Sequence, residues 1–410
     1  MIATSSASIS TNLRPAHSSS RLGRNVWILF GCQALGATIN SVQVVVGTLI
    51  GHSLAVNKSL GSLPLTLQVT ATMAAAVPAV ILFERLGRRH GFLLGALASL
   101  LGCLLFAAGV WRSDFTLYCI GAVPTGLGIG IAQHLRFAAS EAVGPKQQTR
   151  ALALVMSGGI VAAVAGPELV TLTKDLFVPA LFFGTYLCLA VLPIVTALLL
   201  AALEQPPVAT RAVPTIPIRG VLQRRDFLVA AATSMVAFAG MNLIGTSLPI
   251  QMTLCGFGIS DSATVLGLHG IAMFAPGFIT GRLIEAFGPH RVIVTGAVLN
   301  LSCAALAFAG SAYLSFAIAL ILLGLGWNMM FTGATALLAR SHGPENRVQA
   351  ANDFLMFGGV AFATFGSGVL ESAFGWGAVN MAFVPMMVLG LGLVLWHRAC
   401  GPPGRLATTA

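Results

Sequence analysis

Apolar residues along this chain come in long runs, parted by short polar or charged breaks. Twelve runs are evident: 26–50, 61–83, 91–111, 115–139, 150–172, 177–203, 227–254, 261–283, 291–310, 313–339, 349–371 and 376–397. About 20 predominantly apolar residues in a row suffice for a helix to cross a bilayer. Each run therefore predicts one transmembrane helix, and the chain reads as an all-α polytopic membrane protein. The breaks are too short to hold a sizeable soluble domain. The longest polar interruption, 204–226, carries four prolines and four arginines and divides the spans six and six. The expected organisation is an N-terminal tail over 1–24, a six-helix bundle over 25–203 and a central loop over 204–226. A second six-helix bundle over 227–398 and a short tail over 399–410 complete it.

Composition supports the same class. Of 410 residues, 56% are hydrophobic and only 8% charged, and the mean hydropathy is +0.89. A soluble chain carries about 25% charged residues, so an ordinary soluble enzyme and a disordered scaffold are both excluded. Glycine is abundant, at 46 residues, as expected where membrane helices pack closely. The seven cysteines form no CxxC pair and the eight histidines are scattered, without an HExxH. No metal site, disulfide framework, cofactor or catalytic constellation is indicated, so no enzyme is expected.

The net charge of +10 is a matter of topology rather than of nucleic-acid binding. With the N-terminus in the cytoplasm, the outer loops hold only Lys58, Arg112 and Lys174 of the 22 basic residues. The remainder lie in cytoplasmic segments or at helix ends, which is the positive-inside distribution. An even number of spans returns the C-terminus to the cytoplasm. The Ser-rich start with Arg14, Arg21 and Arg24 reads as a cytoplasmic tail, because the first apolar run is long enough to span.

The two halves repeat one another. LVMSGGIVAAVAGPELV at 154–170 aligns without gaps to FLMFGGVAFATFGSGVL at 354–370, with five of 17 positions identical. Glu84, Gly87, Gly95 and Ala96 likewise match Glu285, Gly288, Gly296 and Ala297, 201 residues on. Six spans separate the copies, so both cross the membrane in the same sense. That is a parallel repeat about an axis along the membrane normal.

The break between the second and third spans reads FERLGRRHGF, 83–92. Glu84, Arg85, Gly87, Arg88 and Arg89 sit in a tight connection in which Gly87 permits the turn. This pattern resembles the signature loop of the major facilitator superfamily, Gly-x-x-x-Asp-Arg-x-Gly-Arg-Arg. It departs from it at Glu84, where Asp is usual, and at Val80, where the leading glycine is expected. The second copy, GRLIEAFGPHR at 281–291, keeps Gly281, Glu285, Gly288 and Arg291 but has Ala286 after the acid. The resemblance extends to the twelve spans, the central loop and the parallel repeat. It implies that fold, with two six-helix bundles related by a pseudo-twofold axis. It also implies a latch at the cytoplasmic ends of the halves, with Glu141 and Asp353 the nearest partners for Glu84 and Arg88. Span 5, with Gly158, Gly159, Gly166 and Pro167, is similar to the glycine-rich motif of the family's proton-coupled exporters. Glu168-Leu169 follow where further glycines are usual.

In that fold the first, fourth, seventh and tenth spans line a central cavity. Those spans carry Gln33, Asn40 and Gln43; Gln133 and His134; Asn242 and Thr246; and Trp327, Asn328 and Thr332. Such a lining of amides, an indole and a histidine suits a neutral or amphipathic small molecule. Candidates for ion coupling are His134, Arg136, Glu168 and His269, since an intramembrane ionisable residue is costly and marks function. The expectation is a monomeric secondary transporter of the bacterial inner membrane, with a small-molecule substrate, protons and the lipid bilayer as its partners. The resemblance of span 5 to the exporter motif makes proton-coupled export the expected mode, with proton-coupled import of a nutrient or metal-chelate as the alternative. Uniport and a non-transporting sensor are further alternatives.

Overall fold

The computed structural model describes residues 22–144, 147–203, 224–342 and 346–400, and all regular structure in them is helical. The first half comprises α1 (Arg24–Leu54), a 3-10 turn (Lys58–Leu60), α2 (Leu63–Trp111), α3 (Phe115–Ala132), α4 (Leu135–Glu141), α5 (Gln148–Met156), α6 (Gly158–Thr173) and α7 (Phe183–Ala201). The second comprises α8 (Arg225–Leu254), α9 (Ile259–Phe274), α10 (Gly277–Phe287), α11 (Pro289–Ala309), α12 (Tyr313–His342) and α13 (Asn346–Ala399). Most of the expected tails and of the central loop lies outside the described residues.

Among the described residues nine segments are long and apolar enough to cross a membrane, or ten when α9 and α10, bent by 44° at their junction, count as one. Two helices are too long for a single crossing. The 54 residues of α13 at about 1.5 Å each far exceed a hydrocarbon core of about 30 Å. A glycine with positive φ breaks each: Gly87 in α2 (φ 78°, ψ 160°) and Gly375 in α13 (φ 75°, ψ −177°). Each therefore folds back as two legs. With α3–α4, α5–α6 and α9–α10 as broken spans, the chain makes the twelve legs that its apolar pattern predicts. Spans are numbered 1 to 12 accordingly. The expected break over 84–90 shrinks to the single residue Gly87, because no polar loop is needed where glycine alone reverses the chain.

The repeat is present in backbone geometry. Gly288, at φ 80° and ψ 158°, reproduces the dihedrals of Gly87 at the offset of 201 residues found in the sequence. Leg count places both described ends, Leu22 and Cys400, on one side, here called the terminal face; the other is the loop face. Large apolar side chains point outward along the helices, among them Leu97, Leu101, Leu104, Val164 and Val191. An exposed apolar surface of this kind is what lipid contact requires.

The halves meet along thin seams towards the loop face. A Cβ on Gly267 of α9 would approach the carbonyl oxygen of Ala163 to 3.0 Å, and one on Gly270 would approach the Ala163 methyl to 2.7 Å. Span 11 meets the start of span 2, where a Cβ on Gly368 would overlap the Ser62 hydroxyl. Ser372 donates to Ser59 across the same seam at 3.0 Å. Close approach of this kind is the membrane substitute for a hydrophobic driving force.

The conformation of Gly87 lies where side chains are strained by about 1–3 kcal/mol, although the space around it is open. Gly87→Ala is expected to lower the melting temperature of the purified protein. Gly392→Ala, a helical position also with open space, is expected to leave it unchanged or raise it. Thermal unfolding of the two variants side by side checks this.

Candidate functional site

Between the halves lies a cavity enclosing about 1700 Å³, space open to solvent included. Spans 1, 2, 4 and 5 build one wall and spans 7, 8, 10 and 11 the other.

The N-terminal wall carries amides. Gln33, Asn40, Gln68 and Gln133 all border the cavity. Gln68 is fully buried, and its Nε2 donates to Asn40 Oδ1 at 3.0 Å. This fixes the exposed Asn40 and leaves its own amide N–H groups to the cavity. The position of Gln68 follows from Gly126 of α3, where a Cβ would overlap the Gln68 carbonyl oxygen. Thr72, one turn on, donates to the Gly126 carbonyl at 3.0 Å and holds the two helices together.

The C-terminal wall is aromatic. Trp327 and Phe331 lie one turn apart on α12 and stack, with ring centroids 5.3 Å apart and planes 20° apart. Phe238 of α8 stands edge-on to both, at 4.8 Å from Trp327 and 4.9 Å from Phe331. Phe274 of α9 lies edge-on to Trp327 at 6.0 Å, and Phe357 of α13 lies 6.4 Å from Phe238. All five rings border the cavity. The Trp327 indole N–H is buried without a partner. Asn242, Thr246 and His269 add polar atoms to this wall. Asn242 Nδ2 is committed to the Phe238 carbonyl at 2.9 Å, and His269 Nδ1 lies 2.8 Å from that of Leu320.

Other expected cavity residues serve the helix bundle. Gln43 is buried behind the wall and accepts from the Tyr186 hydroxyl at 2.7 Å. Asn328 accepts from Thr280 and donates to the Met273 carbonyl, each at 2.6 Å, tying α12 to α9 and α10. His134 sits in the turn between α3 and α4, packed against Phe83 and Phe137. His134 and Thr332 are absent from the cavity lining. Glu168 is exposed on the outer surface of α6, away from the cavity. Of the glycine motif, Gly159 borders the cavity and presses on Phe274, where a Cβ would come within 2.8 Å of the ring. Gly158 approaches Ala34, Gly166 approaches Ser41, and Pro167 packs on Gly267.

At the terminal face the pairing differs from the expected one. Arg88 does meet Glu141, at 2.6 Å; Asp353 instead meets Arg136, at 2.9 Å, with each side chain 15% exposed. This second pair joins span 4 to span 11 across the two halves, at the end of the cavity where Arg136 is part of the lining. Arg136 therefore neither snorkels to the surface nor pairs with Glu141. Glu84, Arg85, Glu285 and Arg291 are exposed, and Arg89 and Gly288 partly so.

A helical chain of twelve legs in two repeated halves around a central cavity defines a membrane transporter of the facilitator type. The chain belongs to the Major Facilitator Superfamily, whose sequence profile it matches over residues 26–352 and 231–409. It is 36% identical over 376 residues to the riboflavin transporter RfnT of Brucella anthropi, covering 90% of this chain and 94% of that protein. It is 26% identical to the uncharacterised MFS-type transporter YddS of Bacillus subtilis, covering 90% and 88%. Among solved structures it resembles the xylose transporter XylE of E. coli in a partially occluded inward-open conformation. The TM-score is 0.68 at 12% identity, over 91% of this chain and 98% of that one. That likeness is one of fold.

The Arg136–Asp353 pair is largely desolvated, so removing either partner strands the other charge. Arg136→Ala and Asp353→Asn are each expected to slow transport by about tenfold or more. The exchanged pair, Arg136→Asp with Asp353→Arg, is expected to recover part of it. Initial transport rates at matched expression, across the double-mutant cycle, measure the coupling.

Proposed function

We propose that this protein moves a flat, neutral heteroaromatic molecule of the riboflavin class across the bacterial plasma membrane by alternating access. The observation that carries the reading is the pairing of an aromatic wall, Phe238, Trp327 and Phe331, with an amide wall led by Asn40 and Gln68. A planar ring system stacks on the first. Its imide-like polar edge finds donors and acceptors on the second, and a polyol tail suits the remaining amides. Arg136, the cation in the lining, is already neutralised by Asp353, which matches an uncharged substrate. The 36% identity to a riboflavin transporter points to the same class.

Within this proposal the terminal face, with Arg88 and Arg89, lies in the cytoplasm, as the distribution of basic residues predicts. Export, expected from the glycine motif of span 5, gains no support from its packing. Gly159 and Pro167 press on α9, a contact that transport in either direction uses. Substrate class rather than direction is therefore the content of the proposal.

Stacking with an indole contributes about 0.5–1.5 kcal/mol beyond burial of its area. Trp327→Ala is expected to weaken riboflavin binding by about tenfold or more, equivalent to roughly 1.4 kcal/mol, with Trp327→Phe intermediate. Flavin fluorescence quenching by the purified protein gives the affinity, and riboflavin flux in proteoliposomes, measured both ways, gives transport. Unchanged affinity in Trp327→Ala would remove the stacking role. Absence of riboflavin binding by the unmodified protein would remove the substrate reading.

A further inference from the structure

The loop-face seam contains a buried acid. Glu371, in the run VLESAF, lies in the first leg of α13, three residues after Gly368 and beside Ser372. Those neighbours make the contacts to Ser62 and Ser59 that close this face. On the other flank Ser367 is bonded to Ser247 of α8. Glu371 thus sits where span 11 is held both by its own bundle and by the opposite half. It is only 7% exposed, and neither carboxylate oxygen has a hydrogen-bond partner.

An ionised carboxylate buried without a partner is among the costliest arrangements a protein can hold. The elements packed against this leg bring no compensating charge to its loop-face end among the described residues. Lys58, in the 3-10 turn, turns its ammonium to the carbonyl oxygens of His52 and Ser53, at 2.7 and 3.4 Å. The charged residues of α2, α8 and α11 stand at the opposite end, the terminal face. His52, at the end of α1, is a further titratable group at this face; Asp114 and Asp261 cap helix starts, Lys174 pairs with Asp175, and Arg112 ends α2.

We infer that Glu371 is a proton-binding site that gates the loop face: its carboxyl group must hold a proton for spans 2 and 11 to close, and releases it when they part. Closure removes water from both oxygens, and the neutral acid tolerates that loss far better than the anion. Opening withdraws the Ser59–Ser62 segment from span 11, hydrates the carboxyl group and lets the proton pass to water on that side. The sign follows directly. The closed arrangement binds the proton more tightly, so closure is favoured at low pH and opening at high pH. The inference rests on the alternating access proposed above and not on the riboflavin reading.

The test measures the gate without a substrate. Val56 and Phe374 are exposed at the loop face in opposite halves. Val56→Cys and Phe374→Cys, spin-labelled in a background with Cys188, Cys255 and Cys400 replaced, report their separation in lipid nanodiscs between pH 5 and 9. The expected result is a short distance that gives way to a long one as pH rises, the ratio changing by up to about tenfold per pH unit for one proton. Glu371→Gln is expected to keep the short distance at every pH, whereas Glu371→Asp keeps the pH response. Two distances in a ratio indifferent to pH, or an unchanged pH response in Glu371→Gln, overturn the gate while leaving alternation intact. A single distance at all pH values, with and without riboflavin, contradicts alternation and the gate together.

Discussion

The architecture depends on how closely helices of opposite halves approach one another near the loop face. In hydrocarbon there is no hydrophobic gain in bringing two apolar helices together, so the contact must come from packing and backbone proximity. Gly267 and Gly270 against Ala163, and Gly368 against Ser62, supply it. Bulkier residues at these positions would force the halves apart. Because the seams close one end, the space between the halves becomes a cavity rather than a channel. The other end is bridged by Arg136 and Asp353.

The cavity draws different chemistry from each half, although the halves are repeats. Amides come from the first, aromatic rings from the second. The repeat is retained where backbone geometry matters, at Gly87 and Gly288 with nearly equal dihedrals. It is lost where a substrate is recognised. A molecule with one flat apolar face and one polar edge fits such a site better than a symmetric or highly charged one. Polar groups left over from the wall bond within the bundle: Gln43 Oε1 accepts from Tyr186, and Asn328 uses both its amide atoms, on Thr280 and the Met273 carbonyl.

The fold was largely legible in the sequence, because twelve apolar runs, a charge asymmetry and a repeat at a fixed offset are all one-dimensional signals. The Arg88–Glu141 contact was also legible, from a motif whose charges recur at helix ends. The cavity was legible only in part. Asn40 and Gln43 are three residues apart on one helix, yet one faces the cavity and the other is bonded behind it; spacing alone does not separate them. Gln68 was missed because span 2 was not expected to contribute to the lining. Of the aromatic wall only Trp327 was expected; its phenylalanines were missed because phenylalanines in apolar runs look like packing, and only the convergence of four helices shows otherwise. Glu371 escaped notice at the end of its run, where burial depends on the opposite half. The partner of Arg136 lies 217 residues away, beyond any local reading.

A structure of the protein bound to riboflavin in lipid nanodiscs tests the account most directly. The expected result is the flat ring lying against Trp327 and Phe331, with its polar edge turned to Asn40. Riboflavin density outside the cavity, or inside it but clear of both the aromatic and the amide wall, would contradict the account.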